Sequence, residues 1–194
     1  LYEGGNCCNN PQTTSRTGYF NYKFIPLGAN KGDQDYGYGK ATHFHLAWLR
    51  LAEVYLLYAE AGAQGYGSPN GKSTSFSKSA VEAVNVIRER AGVPKLTASN
   101  LNQEAIRHER KIELAFEGIR YWDLRRWRTA HIALSGQFHK LNTYYIKSRN
   151  TYGYEIINCQ GNLSRTFAEH HYYFPIERKH ITENPNMKQN PGYN

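Results

Sequence analysis

The feature that most constrains how this chain folds is a row of three glutamates in one short stretch. Residues 100–134 read NLNQEAIRHERKIELAFEGIRYWDLRRWRTAHIAL, with Glu109, Glu113 and Glu117 at i, i+4 and i+8. On a helix these stack on one side, where like charges four residues apart repel. A fold that keeps the row must set cations against it. Helical steps of about 100° per residue place Leu101, Ala105, His108, Ile112, Ala115 and Phe116 on one face. Gly118 interrupts this helix. A second follows, with Leu124, Trp127, His131 and Leu134 on one face, Arg120 inside that stripe and Asp123 at its edge. Buried charges are costly unless paired. Arg120, with Arg125 or Arg126, is therefore expected to fold back across the Gly118 corner, making Glu109, Glu113, Glu117, Arg120, Asp123 and Arg126 a structural charge network.

Two earlier segments carry the helical period. Residues 46–63, LAWLRLAEVYLLYAEAGA, are apolar on nearly all sides apart from Arg50, Glu53 and Glu60, the pattern of an interior helix in which Arg50 and Glu53 pair at i, i+3. Residues 75–91 place Phe76, Ala80, Val84, Ile87 and Ala91 on one face, with Gly92 and Pro94 as stop signals. Four helices in two hairpins sharing small residues follow the logic of a helical repeat, without a strict period. The expected fold is mainly α, with tetratricopeptide-like helical hairpins, irregular loops and a small β element.

The flanks have a different texture. Residues 1–45 form a loop-rich lead-in with one strand-like run at 19–25, and the GDQDYGYGKATHFH segment sets Tyr36 and Tyr38 among glycines. Residues 46–134 are the helical core. Residues 135–194 read as strands around turns at Tyr152-Gly153 and at 160–162, then a tail with one short helical turn and two Asn-Pro steps.

The net charge of +8 raises nucleic acid as a partner, but the basic residues are spread along the chain and interleaved with carboxylates, so no nucleic-acid stripe forms. Sixteen tyrosines against one methionine favour wet interfaces and stacking on sugars or bases. Cys7, Cys8 and Cys159 are odd in number and lack CxxC spacing, which argues against a disulfide framework or a zinc site. No signal peptide, lipobox or apolar run of about 20 residues is present. The opening LYEGGNCCNNPQTTS reads as a cut inside a longer polypeptide.

Four stretches in order, TGYFNYKF (17–24), LRLAEVYLLYAEA (49–61), NQEAIRHERKIELAFEGIRYWDLRRW (102–127) and YFPIERKHITENPNMKQNPGY (173–193), resemble the C-terminal part of the SusD/RagB family of outer-membrane nutrient-binding lipoproteins. The resemblance implies a lipid-anchored, cell-surface protein without enzymatic activity or cofactor. Such a protein binds oligosaccharide or glycopeptide and delivers it to a SusC-like TonB-dependent transporter in the outer membrane. It implies an N-terminal half outside these residues, and membrane contact only through an anchor that lies there. Asn6-Cys7-Cys8 lacks the context of a lipid-bearing cysteine.

Two further readings are weighed against it. A glycoside hydrolase needs two carboxyls flanking an open cleft, whereas the glutamates share one packed helix stripe. A transporter subunit without glycan affinity is the other alternative. His43 with His45, or His170 with His171, supply too few ligands for a metal. Because sugar rings stack their C–H faces on aromatics, Tyr36, Tyr38 and Tyr152, each in a Gly-containing loop, are the candidate ligand contacts.

Overall fold

The computed structural model describes residues 17–19, 21, 23–24, 47–159 and 163–193. They fall into two compact units, residues 26–123 and residues 1–25 with 124–194. The architecture is mainly helical, with tetratricopeptide-like helix pairs and a small β element.

The first unit holds α1 (Leu51–Gly65), α2 (Ala80–Arg90) and α3 (Gln103–Glu113). Ala52, Leu56 and Ala59 of α1 pack with Ala80, Val81, Ala83, Val84 and Ile87 of α2 and with Leu101, Ile106 and Leu114. Small residues set the close approach: a Cβ on Gly62 would stand 3.6 Å from that of Ala80. Leu56 is wholly buried. Truncating such a residue to alanine costs about 2–5 kcal/mol.

Side chains mark the helix ends. Ser79 caps α2 in a reciprocal box with Glu82, and Gly92 leaves the helix at φ 68°. Asn102 caps α3 by accepting the Ala105 N–H at 2.8 Å. Between them, the Asn85 amide brackets the backbone of Leu96 with two hydrogen bonds of 2.8 Å. In the α1–α2 connection the Tyr58 hydroxyl donates to the Lys78 carbonyl (2.7 Å) and accepts the Ser73 N–H (3.1 Å).

In several places the structure departs from the sequence reading. Helix α1 begins at Leu51, because Arg50 is extended and serves as its N-cap. Within these residues it buries one side only: Leu51, Val54 and Leu57 are exposed, as are Trp48 and Leu49 just before it. Arg50 pairs with Glu113 and Glu117 instead of Glu53. On α3 the buried face is that of Ile106, Glu109 and Arg110, while His108, Ile112 and Phe116 face outward. The inward face carries the ions, so apolar periodicity selects the wrong side.

The fourth helix is broken. α4 (Ile119–Arg126) stops where Arg128 turns left-handed at φ 56°, and α5 (Ala130–Ala133) is a single turn.

In the second unit, Leu124, Ala130, Phe167 and Tyr172 form a small core. Strands β1 (Gly136–Gln137) and β4 (Ser164–Arg165) pair, and β2 (His139–Ile146) and β3 (Thr151–Asn158) form an antiparallel hairpin. The hairpin turns at a 3-10 segment, Lys147–Arg149, followed by Asn150 at φ 49°. Tyr152 and Gly153 therefore lie inside β3 and not in a turn; the other expected turn, at 160–162, lies outside the described residues.

The run at 19–25 forms no strand where it is described. Instead, Thr17 accepts the Leu141 N–H (2.8 Å), and Gly18, at φ 74°, lies so close that a Cβ would meet the Leu141 carbonyl oxygen at 2.0 Å. Only glycine fits there. The tail forms α6 (Arg178–Glu183) and returns, with the Gln189 amide bonded to both backbone groups of Ile176 (2.8 and 2.9 Å) and Asn190 donating to the Phe174 carbonyl (2.7 Å).

Candidate functional site

Each glutamate of the row has a cation. Arg50 donates through Nε and Nη2 to Glu117 (2.9 and 2.7 Å) and through Nη2 to Glu113 (2.9 Å). Arg90 joins Glu113 and Arg88 meets Glu109. Asp123 is held by Arg110, which also has Glu60 at 4.0 Å. Hydrogen bonding to Glu117, opposed by burial and aided by Glu113, raises the Arg50 pKa above its ordinary value, so the guanidinium stays charged.

The sequence reading places Arg120 and Arg125 or Arg126 against this row and does not name Arg50, Arg88 and Arg90, which pair with it. Burial lowers the pKa of Arg120, and the fields of Asp123 and Glu104 oppose that. Arg125 donates to the carbonyls of His171 and Tyr172 and lies over the Phe174 ring. Arg126 is exposed and lies over Trp127, 4.7 Å from the ring centre. The missed partner of Asp123 had one signal: Arg110 follows Ile106 at i+4 and so shares its buried face.

The row carboxylates are ion-paired to guanidinium groups, whereas acid–base chemistry on a sugar needs free carboxyls on either side of a bond.

The β2–β3 hairpin offers a different surface. Alternation along β3 puts Tyr152, Tyr154 and Ile156 on one face, opposite Tyr145, Thr143 and Leu141 of β2. Tyr152, Tyr154 and Ile156 are 54%, 70% and 69% exposed, so this face presents apolar and aromatic surface to solvent. The Tyr145 and Tyr152 rings stand 5.2 Å apart at 50°, and the Tyr145 hydroxyl donates to the Asn150 side chain. On the other face the Tyr144 ring lies over Gly153, where a Cβ would be 2.7 Å from Cε2. Tyr36 and Tyr38 lie outside the described residues.

The adjacent histidines serve packing. His171 Nδ1 accepts the Ala168 N–H at 2.9 Å, and His170 packs edge-on against His171 and Tyr193, with ring centres 4.1 and 5.0 Å away. Among the described residues no three His, Cys, Asp or Glu side chains gather to hold a metal, and no helix is long and apolar enough to cross a membrane.

Comparison with known proteins connects this arrangement to a family. A SusD-like protein of Formosa agariphila is 28% identical over 183 residues, 89% of this chain and 29% of that protein. A solved SusD-like protein of Bacteroides fragilis superposes with a TM-score of 0.58 at 34% identity, over 75% of this chain and 25% of that one. Another from the same species, described as a SusD-like carbohydrate binding protein, gives 0.52 at 31% identity over 72% of this chain and 28% of that one. The chain thus spans less than a third of the length of each of these relatives. The family model of the SusD family matches residues 1–193, nearly the whole of this sequence, and the chain belongs to that family.

Proposed function

We propose that this polypeptide is a cell-surface protein that captures oligosaccharide or glycopeptide and delivers it, without hydrolysing it, to a SusC-like TonB-dependent transporter. A lipid anchor outside the 194 residues holds it at the outer membrane. The observation that carries the reading is membership of the SusD family over residues 1–193, and one solved member of similar structure is described as carbohydrate binding. The residues support a binding role. The row carboxylates are ion-paired, and the open side of the hairpin presents tyrosine faces of the kind that stack on sugar C–H surfaces.

Within this reading Tyr152 is a ligand contact, together with Tyr36 and Tyr38. The full polypeptide on a glycan array, assayed for binding and for released products, tests it. Binding to some oligosaccharide with no product is expected; product release overturns the binding-only role, and no binding to any glycan overturns glycan capture. Co-purification with an outer-membrane transporter tests delivery separately.

A further inference from the structure

The balance of cations against carboxylates holds in one of the two units only. Residues 26–123 hold twelve of the 24 Lys and Arg and eleven of the 16 Asp and Glu, whereas residues 1–25 with 124–194 hold twelve cations against five acids. The charge surplus of the chain thus belongs almost wholly to the unit that carries the β2–β3 hairpin. Within it, residues 124–154 contain six Lys or Arg and no Asp or Glu. Arg125 is bonded to the carbonyls of His171 and Tyr172, Arg126 lies over Trp127, and Arg128 meets Glu169 and the Tyr172 ring. Lys147 and Arg149 differ from these. Both are exposed in the 3-10 turn of the hairpin, and neither has an ion-pair partner among the described residues.

That turn borders the open face. The Tyr145 hydroxyl donates to the side chain of Asn150, which closes the turn, and the Tyr145 and Tyr152 rings stand 5.2 Å apart. The face itself has no carboxylate: Glu155, the one acid of the hairpin, alternates to the other side, in register with Asn142 and beside Lys140. Exposed rings with cations at one end and no anion among them suit a ligand that offers both apolar C–H faces and negative charge. A guanidinium meets a planar oxyanion through two parallel hydrogen bonds, and a lysine meets it as a point charge. The positive surplus of the unit adds attraction at longer range.

We propose that the open face of the hairpin takes an acidic oligosaccharide, its sugar faces stacked on Tyr152 and Tyr154 and its carboxylate or sulfate groups met by Lys147 and Arg149. The proposal rests on the glycan-capture reading and narrows its ligand class. A nucleic acid strand shares the charge and the stacking but lies outside that reading, and it is one outcome of the test.

The full polypeptide is screened against uronate-bearing, sulfated and neutral oligosaccharides and against single-stranded DNA and RNA. Acidic glycans should bind most tightly. Raising salt from about 0.1 M to about 1 M, which shortens the screening length from about 10 Å to about 3 Å, should weaken them at least about tenfold. Lys147→Gln with Arg149→Gln should weaken the best acidic ligand by about tenfold, whereas Arg178→Gln with Lys179→Gln, which removes the same charge from α6, should change its affinity less than about twofold. Hydrogen exchange of the β2–β3 amides, expected to match the parent in both variants, separates lost contacts from a lost fold. Preference for neutral glycans overturns the inference and leaves glycan capture standing; binding to no glycan overturns both. Nucleic acid held more tightly than every acidic glycan also overturns it, as does parent-like affinity in the Lys147, Arg149 variant or equal weakening by the two double variants.

Discussion

Arg110 and Asp123 are joined by two parallel hydrogen bonds, Nε to Oδ2 and Nη2 to Oδ1, each 2.9 Å long, with both side chains almost wholly buried. The pair ties the last turn of α3 to α4 across the Gly118 corner. Breaking a buried pair from one side strands a charge, which costs about 3–5 kcal/mol. Arg110→Ala and Asp123→Asn should each lower stability by that amount in urea titration. Arg110→Met with Asp123→Leu should cost less than the sum of the single changes, because no charge of the pair is left unpaired; an additive double variant would refute the pairing as the cause.

Arg50 serves two carboxylates with one planar group, and this depends on the guanidinium fork. Hydrogen bonds to charged groups contribute about 1.5–3 kcal/mol net. Arg50→Ala should lose stability in that range, and Arg50→Lys should recover only part of it. Full rescue by lysine in thermal unfolding would show that charge alone suffices. The direction of the Arg50 shift means that pH cannot discharge this side of the pair in any range the protein tolerates.

The Ser79–Glu82 capping box predicts a pH effect. The Ser79 backbone N–H and then its hydroxyl, both bonded to Glu82 Oε2, hold the Glu82 carboxyl below its ordinary pKa. A folded pKa below the unfolded one contributes stability above the ordinary glutamate value of about 4.3, and that contribution fades as pH falls through the folded value. Glu82→Gln should therefore be less stable than the parent near neutral pH, with the gap in urea midpoint closing at acid pH. A gap that stays constant with pH would exclude the linkage. Separately, Ser79→Ala should cost about 1 kcal/mol through the lost cap.

How legible these features were in the sequence follows from their chemistry. The pairing of α1 with α2 could be read because alanines and glycines at helical spacing leave a clear trace. The fold class could be read for the same reason. The buried side of α3 could not, since its inward residues Glu109 and Arg110 are charged, and a search for apolar faces selects Ile112 and Phe116, which point outward. Ion-pair partners were missed because Arg50 and Glu117 are 67 residues apart, beyond the reach of local spacing rules. The hairpin was read one step out of place: glycine beside tyrosine resembles a turn, but Gly153 sits in a strand to make room for the Tyr144 ring. Asn150 takes the left-handed turn position instead.

The two faces of the hairpin separate folding from binding. Gly153→Ala drives a methyl into the Tyr144 ring, and forcing added volume into a packed contact typically costs about 1–3 kcal/mol. That change should lower the protection of β2–β3 amides in hydrogen exchange. Tyr152→Ala and Tyr154→Ala sit on the open face; the first gives up the Tyr145 ring contact, and both should leave exchange in the α1–α2 core untouched. If the open face holds the glycan, the Tyr152→Ala, Tyr154→Ala double variant should weaken binding of an array-identified oligosaccharide by at least about tenfold, since loss of stacking on two aromatic rings removes about 1.4 kcal/mol or more. Tyr144→Phe, which keeps the ring on Gly153, should bind as the parent does. Parent-like affinity in the Tyr152→Ala, Tyr154→Ala variant would move the glycan away from this face of the hairpin while leaving the family assignment intact, because that assignment rests on residues 1–193 and not on these tyrosines.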